Sequence, residues 1–387
     1  MKWTLLFSLL VLALPLLVSG GASPTTEKGA ALPAAFHVYV GTFSANGSKG
    51  IYLFDLDTES GKLEAKGVVA EERDPNFLAL HPNGKVLYSV ATKNGGGAAD
   101  AFSIDAASGK LTLLNQQATG GKNSVYVSVD PAGKVALVAN YDGPSVTSFP
   151  VNADGSLGAS GSVITHTGSS VNQGRQNRPY PHCVIPDPAG KFAFVSDLGC
   201  DKLFSYKIDA AKGTLTPNDP PAASVAPGSG PRHFAFHPSA RFAYSLTELT
   251  NKIIAFSYDA ERGTLKEIEA VSSLPADFRG WSAGSEIKAH PNGKFLYVGN
   301  RGHDSIGIFA IDQDSGKLTV VGHQSTRGQA PRGFNLDPTG NFLIAGNQGS
   351  NTISAFRIDP KTGLLTPLGE PEKSPCPVSI LFAPVKE

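Results

Sequence analysis

His182, Arg232 and Arg332 stand at the same place in three copies of a repeating phrase, five residues before a His/Asp-Pro turn. Glu248 and Arg301 share a second repeated place, eight residues after the glycine position of that turn in two successive copies. An imidazole, a carboxylate and three guanidiniums at matching ends of repeated strands can surround one cavity. Cations in excess of carboxylates suit an anionic small molecule, which guanidinium holds through paired hydrogen bonds. The imidazole or the carboxylate can take a proton from water, and the arginines can hold charge that builds on a carbonyl oxygen. His233, Glu286, His303 and Asn347 lie close by in the repeat and are expected to line the substrate site. The same side chains also suit a plainer use, with Arg232–Glu248 and Arg301–Glu286 as ion pairs tying neighbouring repeats together.

The elements that position these residues follow from the repeats. Gly-x-Leu occurs after a polar turn at Gly61, Gly109, Gly155, Gly213, Gly263, Gly316 and Gly363, while internal His/Asp-Pro turns occur at His81, Asp130, Asp187, His237, His290 and Asp337. Between them run short segments rich in β-branched and aromatic residues, such as Phe295–Val298 and Ser305–Ile311. A β-rich unit recurring about every 50 residues is the mark of a propeller blade. Each unit predicts four strands: one ending at the Pro turn, one after it, a third, and a fourth starting at Gly-x-Leu. Seven Gly-x-Leu phrases against six internal turns leave one innermost strand to be found, and Val378–Ala383 has its pattern. The expectation is an all-β, seven-bladed propeller spanning residues 36–387, closed by pairing of the C-terminal strand with residues 37–41. The longest interval between phrases places an insertion between Gly158 and Tyr180, expected as a surface loop.

Composition narrows the classes. The 387 residues include 43 Gly and 28 Pro, which suits many tight turns, and 41% hydrophobic residues, which excludes a disordered chain. Lys+Arg and Asp+Glu are both 33, so no basic field draws the chain to nucleic acid. Lys2, the apolar run Leu5–Val18 and the small residues Ser19–Ala22 read as a secretory signal peptide over residues 1–22, followed by a linker over 23–35. This predicts a periplasmic or secreted protein, with no membrane segment in the mature chain and a monomeric state. Cys183, Cys200 and Cys376 fit neither a disulfide framework nor a zinc site, and no other metal-ligand spacing or cofactor motif appears. His81, His237 and His290 alternate with Asp at the turns and read as turn residues. Gly280-Trp281-Ser282-Ala283-Gly284 has the spacing of a nucleophile elbow but lacks the strand before and helix after that such an elbow needs.

At Pro181-His182, Gly230-Pro231-Arg232-His233, Glu248-Leu249, Ser285-Glu286-Ile287, Gly299-Asn300-Arg301-Gly302-His303-Asp304 and Pro331-Arg332-Gly333-Phe334 the sequence resembles the lactonase family of seven-bladed propellers. That family includes propeller-type 6-phosphogluconolactonase and fungal carboxymuconate cyclase. Departures from its pattern fall at Val184, Thr247 and Lys288. The resemblance implies lactone hydrolysis with His182, Arg232, Glu248 and Arg301 as the catalytic cluster, on a sugar-type or anionic lactone and without a cofactor. Two other readings stay open at this level: a lactonising cyclase, or a propeller that binds a ligand or partner without turnover.

Overall fold

A computed structural model describes residues 35–385, together with Met1. Apart from Met1, the signal segment lies outside the described residues, as does all of the expected linker except Ala35. Every regular element among the described residues is a β-strand, and the strands form seven four-stranded antiparallel sheets.

Each blade is ordered A to D from the centre outward. Blade 2 comprises Leu78–Leu80, Val86–Lys93, Gly96–Ile104 and Leu111–Ala118, and blade 3 Ser124–Val129, Val135–Asn140, Ser145–Pro150 and Ser162–Thr165. Blade 4 comprises Pro181–Pro186, Phe192–Asp197, Lys202–Asp209 and Thr214–Ser224, and blade 5 Pro231–Phe236, Phe242–Thr247, Lys252–Asp259 and Thr264–Ser272. Blade 6 comprises Ala283–Ala289, Phe295–Arg301, Ser305–Ile311 and Leu318–Ser325, and blade 7 Pro331–Leu336, Phe342–Asn347, Thr352–Ile358 and Leu365–Lys373. Blade 1 takes its A strand, Pro377–Pro384, from the C-terminal end and its B, C and D strands, Ala35–Thr42, Gly50–Asp57 and Leu63–Glu71, from the other. The closing register sets His37 opposite Ala383 and Gly41 opposite Ser379, as the repeat count predicts. A strands of successive blades pack against one another all the way round, so the ring is closed and the inner edges are covered.

The two repeated phrases have separate structural duties. Each Gly-x-Leu glycine turns the chain into strand D; Gly316 has φ of +72°, and a Cβ there would meet the Phe242 ring at 2.4 Å, so only glycine fits. In blades 2, 3, 6 and 7 its carbonyl also receives a tyrosine hydroxyl from the preceding blade: Tyr39, Tyr88, Tyr244 and Tyr297 donate to the carbonyls of Gly109, Gly155, Gly316 and Gly363 at 2.8–3.1 Å. At the Pro turns, Asp130 accepts three backbone N–H groups and Asp187 two, closing their own turn. His81, His237 and His290 instead reach the turn glycine carbonyl of the next blade, at 3.0, 2.8 and 2.8 Å. Both turn types therefore serve the scaffold. One departure from the expected strand pattern occurs in blade 3. There Leu157 bridges back to Val151, and strand D begins only at Ser162, five residues beyond the Leu. The chain then crosses residues 166–180 before entering blade 4.

Candidate active site

The start of strand A faces the channel in blade after blade. Asn76, Val125, His182, Arg232, Arg332 and Val378, from blades 2, 3, 4, 5, 7 and 1, line one narrow space. Blade 6 has Ser285 there, turned away to donate its hydroxyl to the Pro331 carbonyl. Above this neck the channel widens into a cavity of about 360 Å³ lined by Phe43, Tyr141, Arg175, His182, Glu248, Arg301 and Arg332 among others.

Glu248 is the hub of the cavity. Its Oε2 accepts from Arg232 Nε and forms an ion pair with Arg301 Nη2, both at 3.0 Å, and its Oε1 accepts from Arg175 Nη2 at 2.5 Å. Burial alone would push this carboxyl up, but Arg301, Arg232 and Arg175 outweigh it and hold it at about 2. Glu248 is therefore a fixed anion, bound on three sides. Arg175 comes from the segment between blades 3 and 4. It has no counterpart in the other repeats, and the sequence reading did not select it; the long interval before Tyr180 was the one signal available. Of the two ion pairs weighed from sequence, Arg232–Glu248 is present, while Arg301 bonds to Glu248 and the Gly284 carbonyl and has no pairing with Glu286.

One residue deeper, Glu286 and His233 brace Arg232. His233 Nδ1–H donates to Glu286 Oε1 at 2.8 Å, which leaves its Nε2 to accept from Arg232 Nη1 at 3.2 Å. Arg232 also donates to the Ser285 carbonyl. Burial keeps His233 neutral, at about 4. Burial opposes ionisation of Glu286, but His233 and Lys288 hold it at about 2. His233 reaches the neck of the channel, whereas Glu286 acts behind it.

His182 lies at the junction of cavity and neck, packed edge-on to Tyr141 and His233. Burial, Arg232, His233 and Arg332 push it well below the usual histidine range, so the imidazole is neutral at neutral pH. Its Nδ1 is buried without a hydrogen-bond partner. Arg332 makes no hydrogen bond or ion pair among the described residues; its guanidinium lies 5.0 Å from the centroid of the Phe43 ring. Burial, Arg232 and Arg301 lower it to about 9, so it still carries charge at pH 7. Four guanidiniums thus gather at the mouth around one carboxylate; Arg175, Arg232 and Arg301 pair with it, and Arg332 does not.

Two residues expected at the site lie elsewhere. Asn347 is fully buried and donates to the Ser354 hydroxyl on strand C of blade 7 and to the Thr326 carbonyl on the segment that leads in from blade 6. Asn140 and Asn300 do the same work in blades 3 and 6. Side chains alternate along a strand, so the position before Glu248 and Arg301 points into the blade while theirs points into the channel. His303 follows strand B of blade 6 and turns outward, bonded to Ser305 at 2.6 Å and packed against Phe278 and His323. All three thiols are free and buried. Among the described residues no group of three His, Cys, Asp or Glu is arranged to hold a metal.

The geometry agrees with the kinship of the chain. A family model described as "Lactonase, 7-bladed beta-propeller" matches residues 37–382. A Bacillus subtilis protein named 6-phosphogluconolactonase is 43% identical over 299 residues, covering 77% of this chain and 84% of that protein. One of the same name from Formosa agariphila is 37% identical, with 78% and 86% covered. Among solved structures, a Pseudomonas aeruginosa protein described as a periplasmic gluconolactonase superposes with a TM-score of 0.86 at 31% identity, covering 91% of this chain and 100% of that one.

Proposed function

The chain belongs to the lactonase family of seven-bladed β-propellers and is a lactone hydrolase of the 6-phosphogluconolactonase kind, and on that premise we propose that it opens a sugar lactone outside the cytoplasm, with His182 as the proton carrier. The observation that carries this reading is a neutral, partly unsatisfied imidazole at the floor of a cavity with an excess of guanidinium charge. Glu248 suits proton transfer poorly, because a carboxylate held at about 2 is a weak base at pH 7. Its role is to fix Arg175, Arg232 and Arg301.

In the proposed reaction the lactone carbonyl faces Arg301. His182 accepts a proton from water as the water oxygen bonds to the carbonyl carbon. The carbonyl π electrons move to oxygen, where Arg301 stabilises the new charge. Collapse of the tetrahedral intermediate breaks the bond to the ring oxygen, and the proton returns from His182 to that oxygen. The product is a hydroxy acid. Arg332, having no internal partner, binds an anionic substituent where the lactone carries one. Export rests on Lys2 and the Leu5–Val18 run, and is supported by the periplasmic description of the Pseudomonas aeruginosa neighbour.

The test is pH-stat hydrolysis of glucono-1,5-lactone and its 6-phosphate, corrected for spontaneous opening. His182→Ala should lower kcat at least about 100-fold on both. Retention of wild-type kcat by His182→Ala would reject this assignment of the proton carrier.

A further inference from the structure

Trp281 stands apart from every other large side chain near the mouth. It is 72% exposed, on the segment joining strand D of blade 5 to strand A of blade 6. Two residues later, Ala283 pairs directly with Arg301, a residue of the cavity wall, so the backbone that carries the indole adjoins that wall. It is also held in place. A Cβ added at Gly302, the residue after Arg301, would lie 2.3 Å from the Trp281 carbonyl oxygen and 2.8 Å from its ring, so the indole packs on bare backbone. Asn251, three residues beyond Glu248, donates to the carbonyl of the adjoining Ser282 at 2.9 Å. Phe278 packs edge-on against His303 on the same segment. An indole fixed on one face and open on the other loses little freedom when it binds.

We propose that Trp281 is a stacking platform for a second sugar ring, so that the preferred substrate is an aldonolactone bearing a glycosyl substituent. This rests on the reading of the cavity as a sugar-lactone site. The faces of a pyranose present C–H groups of slight positive character, which match the negative face of an indole. The lactone ring occupies the cavity near His182 and Arg301, and the glycosyl ring extends past Gly302 onto Trp281. The indole takes no part in bond making. It is a specificity-determining residue that adds binding for the longer substrate alone.

Two measurements separate this proposal from the activity itself. The first compares hydrolysis of lactobiono-1,5-lactone and glucono-1,5-lactone. The wild-type chain should favour the disaccharide lactone at least tenfold in kcat/KM, through KM. Trp281→Ala should bring the two within twofold while leaving gluconolactone turnover unchanged, and Trp281→Phe should restore most of the preference. The second measurement does not depend on turnover. The chain has two tryptophans, so Trp3→Phe in the full chain leaves Trp281 as its one indole. Lactobionate should quench or shift its fluorescence in a saturable way, and gluconate should not. Absence of any lactone hydrolysis alongside a saturable lactobionate signal would sink the sugar-lactone reading and keep the platform. Equal handling of both lactones by wild type and Trp281→Ala, with no fluorescence response to lactobionate, would overturn the platform. So would an equal loss on both substrates in Trp281→Ala, which marks a strut.

Discussion

Arg332→Met should make the protein more stable and a poorer binder of anions. The guanidinium lies over Phe43 with no counter-charge of its own, and burial with Arg232 and Arg301 depresses it to about 9. Methionine keeps the stem and the ring contact and removes the charge. Relief of one incompletely compensated buried charge is worth ~1–2 kcal/mol, within the range seen when buried charges give way to apolar groups of similar size. With ~2.1 cal/mol/K of unfolding entropy per residue, ~350 ordered residues give ~0.7 kcal/mol/K, so Tm should rise by ~1.5–3 °C. Loss of a charge-assisted contact worth ~1.5–3 kcal/mol should raise KM for 6-phosphogluconolactone by ~10- to 100-fold, with a smaller change for the unphosphorylated lactone. Thermal melts at pH 7 and paired KM values test both arms. Phe309→Ala gives the scale of a core loss, since that ring is fully buried and its truncation should cost ~3–5 kcal/mol. A fall in Tm approaching that of Phe309→Ala, or an equal KM change on both lactones, would refute the assignment of Arg332 as an unpaired ligand-binding cation.

Glu248→Gln should behave in the opposite sense: removing the one carboxylate among Arg175, Arg232 and Arg301 should cost ~3–5 kcal/mol, read as a Tm drop of ~4–7 °C, together with most activity. Lys317→Ala, on the exposed surface, should alter neither. For kcat/KM, the acid limb should fall below pH 6.5, because His182 is held well below its ordinary value and stays neutral further into acid; an acid limb above pH 7 would contradict the depressed imidazole. Acid stability has its own sign: Glu248 is lowered from 4.5 to about 2 on folding, so its contribution is complete above pH ~4.5 and is lost as pH falls towards 2, ~3 kcal/mol at most. In Glu248→Gln that part of the acid slope should be missing in denaturation curves taken from pH 5 to 2. N-terminal sequencing of the protein from its native host should find residues 1–22 removed; intact Met1 in a soluble cytoplasmic pool would refute export.

The blade count was legible because two phrases with fixed turn duties recur in unequal number. The closing strand follows from that arithmetic, and Gly41 opposite Ser379 is its result. The channel-facing position was legible too, since a repeated backbone sends equivalent side chains the same way. Six of the seven residues at the start of strand A share one neck for that reason. What failed was the step from one position to its neighbour. Asn347 and His303 adjoin residues that face the channel, but strand alternation turns Asn347 into the blade and the turn after Arg301 carries His303 outward. Arg175 was illegible on different grounds. An insertion has no partner repeat to align with, so nothing in the sequence says that residues 166–180 lead back over the mouth to Glu248.

The distribution of charge around the ring explains how such a site can exist without unfolding the domain. Blades are held together elsewhere, by the tyrosine–glycine bonds, the histidine turns and cores packed between sheets. The start of strand A carries little of that load, and it accepts Val125, Asn76 or Arg232 without a change of backbone role. Cost is therefore confined to electrostatics, and the order of bracing follows from it. Arg232, the most enclosed guanidinium, receives Glu248, a backbone carbonyl and the Glu286–His233 pair. Arg301, nearer the opening, shares Glu248 and takes the Gly284 carbonyl. Arg175, which is partly in solvent, has Glu248 Oε1. Arg332 alone receives no oxygen from the described residues. A cation left so, beside two others, has its missing partner supplied by whatever enters the cavity. That makes ligand binding and relief of stored repulsion one event, and an anion that enters should stabilise the wild-type fold more than the Arg332→Met fold.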